Sequence, residues 1–191
     1  AVFGCNYKSG QPGRVIRYNT RFCKDKRFCS FRSLLKTGDM FGADFCYNIV
    51  PKKLDIFDTK TFAESEMEFY VVCTNVETGK AVYHKCLTAD DRELTWMRAS
   101  ASMPLASHIV EVDGYKLLDG GISDSIPLRF IEKMGYERNV VILTQPRSYR
   151  KGKSRSLPLI KAAMRKYPEF VKASARRSKM YNKQLDYVKN A

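Results

Sequence analysis

The spacing of apolar and polar residues changes several times along this chain, and each change predicts an element. Arg14-Val15-Ile16-Arg17-Tyr18 opens a basic amphipathic helix that keeps Phe22 on the same side. Residues 25–31 break that pattern, Ser33-Leu34-Leu35 starts another turn, and Gly38 and Gly42 set Met40-Phe41 in a loop. Residues 44–50, with Phe45, form a short apolar helix ended by Pro51. The loops and short helices around Met40, Phe41 and Phe45 serve either as core packing or as the cover of a cleft. Asp58 heads a capped helical turn. The β-rich run 67–74, the turn Glu77-Thr78-Gly79-Lys80 and the run 81–84 make a hairpin. Asp90 or Asp91 caps a helix through Leu94, Trp96, Met97 and Ala101. A second hairpin runs from 108–112 through Asp113-Gly114, a strong turn dipeptide, into 115–118. Residues 127–134 form a helix stopped by Gly135, and 139–144 read as a continuous apolar strand of the kind buried in a parallel sheet.

Past Gln145-Pro146 the pattern shifts. A polar, basic loop reaches Arg155, and two helices follow, at about 157–166 and 168–190. The second places Phe170, Ser174, Tyr181, Leu185 and Val188 on one face, with Arg176, Arg177, Lys179 and Lys183 largely elsewhere. Strands alternating with helices imply an α/β sandwich. The division expected is residues 1–146 as the body and 147–191 as a basic helical extension.

The second hairpin delivers the stretch with the most chemistry, Leu117-Leu118-Asp119-Gly120-Gly121-Ile122-Ser123-Asp124-Ser125-Ile126-Pro127. Asp119 stands at the carboxyl end of an apolar strand, where a carboxylate can leave the sheet. Gly120 and Gly121 allow a tight turn and a close backbone approach. Ser125 or Asp124 can cap the next helix, and Pro127 suits its first turn. By itself this is an ordinary Asp-Gly turn. Asp124 is a rival carboxylate to Asp119, and its position favours the capping role.

Charge and cysteine usage narrow the classes. The chain has 191 residues and a formal net charge of +14, but residues 37–146 carry 11 Lys/Arg against 17 Asp/Glu. The positive excess lies at the ends, with 14 Lys/Arg against two Asp/Glu in residues 147–191. A basic end can meet an anionic lipid surface or nucleic acid, or be a solvated helix face. No zinc finger or ribonucleoprotein motif accompanies the charge, and aromatic residues do not interleave with the basic tail, so nucleic acid is not the expected partner. The six cysteines form no Cys-x-x-Cys pair, and His84 and His108 form no zinc signature. Reduced thiols and a cytoplasmic setting are expected. No apolar run approaches a membrane span, and no cofactor or metal is expected.

Upstream of the Asp-Gly-Gly turn stands Arg98-Ala99-Ser100-Ala101-Ser102-Met103-Pro104, a small-residue segment running into a proline. This order, through Asp119-Gly120-Gly121 to Pro127, resembles the patatin-like phospholipases of the bacterial, stand-alone type, over about residues 1–146. The resemblance implies a three-layer sandwich with a mainly parallel central sheet, and an acyl-ester hydrolase using a Ser–Asp dyad. Asp119 would be the dyad Asp, acting directly on the serine, so neither histidine is needed. The family's nucleophile sits in a Gly-x-Ser-x-Gly elbow. Ser9 and Ser123 do not fit that pattern, and the family's glycine-rich oxyanion loop is missing as well. Ala1-Val2-Phe3-Gly4-Cys5-Asn6-Tyr7 looks like the helix that follows the elbow. The chain is therefore expected to start just after the nucleophile motif, with the N-terminal part of the sandwich missing and no activity of its own. The implied partners are a lipid or acyl-ester substrate and an anionic membrane surface, reached peripherally through the basic C-terminal helix. The alternatives are a catalytically inactive interaction domain and a basic module for nucleic acid or anionic surfaces.

Overall fold

The computed structural model describes residues 2–190, apart from the side chains of Arg32 and Lys36. Ala1 and Ala191, the ends of the two expected segments, lie outside the described residues. Two hairpins form the centre. Strands β1 (Tyr70–Asn75) and β2 (Ala81–Lys85) are joined by a turn in which Gly79 has φ +67°. Strands β3 (Val110–Val112) and β4 (Tyr115–Asp119) are joined by Asp113 (φ +51°) and Gly114 (φ +78°), the left-handed pair that a two-residue hairpin turn needs. β1 and β4 pair with each other, giving the order β2-β1-β4-β3 with every pairing antiparallel.

The mainly parallel sheet implied by the resemblance is thus not what the described strands form. Tight hairpins force antiparallel neighbours, whereas parallel ones need a long crossover. The run 139–144, expected as a buried parallel strand, takes no strand conformation, and Val140 and Ile142 are 92% and 87% exposed.

Helices cover both faces of this sheet. Val71 and Cys73 of β1 and Leu117 of β4 face Trp96, Met97 and Ala99 of α5 (Asp91–Ser100). Leu118, with Val76 and Ile122, faces Ile160 and Met164 from the α7 (Leu157–Ala163) region and Phe170 of α8 (Pro168–Asn190). The neighbours Leu117 and Leu118 are buried on opposite faces because successive strand side chains point opposite ways. The face expected for the last helix is the one it buries, through Phe170, Ser174, Tyr181 and Leu185, while Val188 is half-buried.

Local signals account for the element starts. Asp90, not Asp91, caps α5, accepting from the Glu93 amide at 2.9 Å, and Asp58 caps α4 (Thr59–Glu64) through the Thr61 amide at 2.8 Å. Asp113 fastens the second hairpin to α5, accepting from Arg92 Nε at 2.9 Å and Trp96 Nε1 at 2.8 Å. The N-terminal third is a set of short helices, α1 (Val2–Lys8), α2 (Arg14–Phe22) and α3 (Phe31–Thr37), then a π-helix over Phe45–Leu54. Pro51 does not end that last helix but lies inside it. Part of the basic N-terminus is consumed internally: buried Lys8 donates to the Ser65 and Met67 carbonyls, and buried Arg14 to the Asp55 carbonyl and Asn6. No helix among the described residues is long and apolar enough to cross a membrane.

Candidate active site

Asp119 is the last residue of β4, where the chain leaves the sheet for the short turn of 3₁₀-helix Gly120–Ile122. Three hydrogen bonds hold it. Its amide donates to the Ser102 carbonyl (2.8 Å), which ties the strand end to the end of α5. Its carbonyl accepts from Thr74 Oγ1 (2.8 Å), and Thr74 is in turn 2.8 Å from Ser123 Oγ. Its carboxylate Oδ1 accepts from the Gly121 amide at 2.7 Å. Gly120 is required by space, and a side chain on Gly121 would press on the Asp119 carboxylate. A Cβ on Gly120 would lie 2.2 Å from the Val72 carbonyl oxygen, and one on Gly121 would lie 2.8 Å from Asp119 Oδ1.

The turn is braced from the C-terminal helix. Arg177 Nε donates to the Gly121 carbonyl at 2.9 Å, and Ser125 Oγ donates to the same oxygen at 2.7 Å. Burial pushes the Asp119 carboxyl above the usual aspartate value; the Gly121 amide and the positive charges of Arg177 and Lys151 pull it only part of the way back. Cys73, opposite Asp119 in the register, has its thiol pushed up to about 12 by burial and by that carboxylate.

Asp119 lines a cavity of about 680 Å³. Its walls are mainly apolar, with Phe28, Phe41, Tyr47, Met103 and Ile109, and Val2 at the start of α1 also reaches it. Phe41 therefore covers the cleft, while Phe45 is buried in a small core with Phe22 and Val50, so the two expected roles divide between neighbouring aromatics. Among ligand pockets this is a typical size and lining for an apolar substrate.

The other predicted residues fall elsewhere. Asp124 is not a helix cap. It accepts from Tyr83 Oη at 2.5 Å and from Gln184 Nε2, while α6 (Leu128–Lys133) begins after Pro127 with no side-chain cap. Its two partners come from β2 and α8, which outcompete the helix amides five residues away. His108 lines the large cavity, but its Nε2 meets the Thr37 carbonyl at 2.7 Å and its amide donates to Asp39, so it ties two loops together. His84 stacks on Trp96 at 4.1 Å and bonds Glu93 Oε2 at 2.8 Å. His84, Glu93 and Cys86 bring their donor atoms within 4.8 Å of one another, a grouping that could hold a metal ion. Glu93 is already shared between His84 and Arg92, at 2.8 and 3.0 Å, which gives the cluster a structural role between β2 and α5.

Sequence reasoning missed Thr74 and Arg177. Arg177 was placed off the apolar face of α8, yet it stands three residues after Ser174, one helical turn along the docked side; that spacing was the available signal.

A family model described as patatin-like phospholipase matches residues 5–130, which include Asp119 and the sheet but not α7 or α8. Among curated proteins, the uncharacterized protein YjjU of Escherichia coli (strain K12) is 26% identical over 149 residues, covering 76% of this chain. The chain spans 40% of that relative's length.

Proposed function

The chain belongs to the patatin-like phospholipase family, and from that premise we propose that the protein is a lipid acyl-ester hydrolase in which Asp119 is the base of a Ser–Asp dyad. The observation that carries the reading is the setting of Asp119: a half-buried carboxylate, raised in basicity by its surroundings, at the wall of a large apolar cavity. A free carboxylate is a weak base, and partial desolvation corrects that. The dyad serine is proposed to precede α1, since Val2 at the start of that helix lines the same cavity as Asp119. In this reading the serine attacks the ester carbonyl as Asp119 takes its proton, the alcohol leaves, and water then releases the acid from the acyl-enzyme. The apolar cavity would hold the acyl chain. The whole protein's three-layer, mainly parallel sandwich belongs to the same proposal, with β1–β4 as its antiparallel portion and residues 139–144 as a strand awaiting neighbours. So does the division into a catalytic part, 1–146, and a basic extension, 147–191.

Membrane contact is proposed to be peripheral and electrostatic. The apolar face of α8 is spent on the domain, so only its exposed cations, such as Arg176, Lys179 and Lys183, are free to meet anionic lipid from the cytoplasmic side. The test of the proposal is hydrolysis of a short nitrophenyl ester by the whole protein, with labelling by a fluorophosphonate. Activity with one labelled serine ahead of α1 is the result expected. No hydrolysis, or labelling of a serine within residues 2–190, would overturn it.

A further inference from the structure

We infer that His84, Cys86 and Glu93 form a zinc site that pins the edge strand β2 to α5, with water as the fourth ligand. None of the three lines the cavity beside Asp119, so the site stands apart from the hydrolase reading.

Three donors of the types that zinc takes converge there: an imidazole nitrogen, a thiol sulfur and a carboxylate oxygen, all within 4.8 Å of one another. The fold sets them up. His84 and Cys86 are two residues apart, so their side chains leave the same face of the extended chain. The Cys86 amide donates to the Phe69 carbonyl at 2.8 Å, which keeps the chain extended just past the end of β2. Asp90 caps α5 through the Glu93 amide, and so holds Glu93 in the first turn of that helix. His84 stacks on Trp96 with ring centroids 4.1 Å apart and planes within 4°, which fixes the imidazole with Nε2 2.8 Å from Glu93 Oε2. Arg92 holds the other carboxylate oxygen, Oε1, at 3.0 Å, the kind of outer support that orients a ligating carboxylate. Zinc with bonds of about 2.0–2.3 Å needs its ligand atoms roughly 3.2–3.8 Å apart. The separations here run from 2.8 Å to at most 4.8 Å, so small side-chain rotations close the shell. His84 is only half-buried, which leaves a way in for the ion and room for water.

Charge favours a cation at this point. The Glu93 side chain is 3% exposed, and buried charges are normally paired or bound to metals. Among the described residues the one permanent cation it pairs with is Arg92, which is 55% exposed and also bound to Asp113 at 2.7 Å. With the thiol protonated and the imidazole neutral, the three side chains carry one negative charge. When zinc binds, the Cys86 S–H bond breaks, a zinc–sulfur bond forms and the proton leaves to solvent, which brings the sum to zero. Burial and the Glu93 carboxylate push the Cys86 thiol up, so zinc competes with a proton and binds more tightly as pH rises. The other titratable groups near the site are Lys8 and Cys5 of α1, Cys73 of β1 and Asp113 of the β3–β4 turn. Lys8 is committed to two carbonyls, Asp113 to Arg92, and burial holds both thiols protonated. The sulfur and nitrogen donors disfavour calcium and magnesium, which take oxygen.

The test is zinc binding by the whole protein without an affinity tag, measured by competition with a chromogenic chelator in excess magnesium, together with X-ray absorption at the zinc edge. Wild type should bind one zinc per chain, with one sulfur and otherwise nitrogen and oxygen neighbours. Binding should be about tenfold tighter at about pH 8 than at about pH 7, the mark of one released proton. Cobalt in place of zinc should show a thiolate-to-metal charge-transfer band, lost in Cys86→Ala. Cys86→Ala, His84→Gln and Glu93→Gln should each weaken zinc binding about a hundredfold. Cys46→Ala, which alters a buried thiol in a different core cluster, should change neither band nor affinity. Zinc should raise the thermal midpoint of wild type and not that of Cys86→Ala. No zinc uptake by wild type, a metal shell without sulfur, an affinity independent of pH, or equal weakening in Cys46→Ala would overturn the inference. The absorption spectrum is read on wild type, so the outcome does not depend on any variant folding.

Discussion

Asp119 and Asp124 are the same residue type, five positions apart, and their surroundings give them opposite roles. Asp124 has a donor on each carboxylate oxygen, a tyrosine from β2 and a glutamine from α8, which makes it a clamp across the sheet and the C-terminal helix. Asp119 has one amide on Oδ1, faces two cavities, and sits where burial raises its carboxyl. On the reading proposed above, unfinished hydrogen bonding at a half-buried carboxylate, rather than its residue type or its place after a strand, marks the group to test as a proton acceptor.

The sharpest way to break this contrast is to replace each carboxylate in the whole protein and measure ester hydrolysis. Asp119→Asn should cost about 10³-fold in rate while the protein still folds. Asp124→Asn should leave the rate within a small factor; equal losses in the two variants would erase the distinction. A second large effect lies in the backbone between them. Gly120→Ala drives a Cβ to 2.2 Å from the Val72 carbonyl, and should lower stability by about 2–3 kcal/mol in chemical denaturation. An unchanged midpoint would show that the turn has slack. On the clamp side, Tyr83→Phe should cost about 1–3 kcal/mol of stability, since it strips a hydrogen bond from a charged acceptor, without altering catalysis.

The contrast extends along α8, where Gln184 serves Asp124 and Arg177 serves the Asp119 turn, but Arg176, Lys179 and Lys183 are exposed. Neutralising any one of these three should weaken binding to anionic vesicles by about 1 kcal/mol, an effect that salt screens away. Binding to neutral vesicles should not change. The smallest effect is on the pH dependence of stability. The folded Asp119 carboxyl lies above its ordinary value, so its stabilising contribution is present at pH below that value and is lost as pH rises through the folded pKa. Wild type should therefore lose stability relative to Asp119→Asn as pH rises from about 4. Activity should run the other way, falling as the base is protonated on acidification. A stability difference independent of pH would place the Asp119 pKa at its unfolded value.

Several elements were legible in the chain because their signals are local. Asp-Gly at 113–114, the aspartate caps at Asp58 and Asp90, and the face of α8 through Phe170, Tyr181 and Leu185 each depend on residues within a turn or two, and each is present. The position of Asp119 at the end of an apolar strand, followed by two glycines of which the first packs on the Val72 backbone, was equally readable. The tertiary structure alone decided the rest. The apolar run 139–144 has the composition of a strand, but a strand exists only where a neighbour takes its hydrogen bonds, and no described strand lies beside it. Sheet direction was decided by which hairpins met, β1 against β4 across more than forty residues. Asp124 lost its capping role to partners 41 and 60 residues away, and Arg177 reached the Gly121 carbonyl across 56. Periodicity and capping report what a residue can do with its neighbours in sequence; which half-buried carboxylate has a donor on each oxygen and which keeps one oxygen without a donor depends on contacts that form only when distant segments pack.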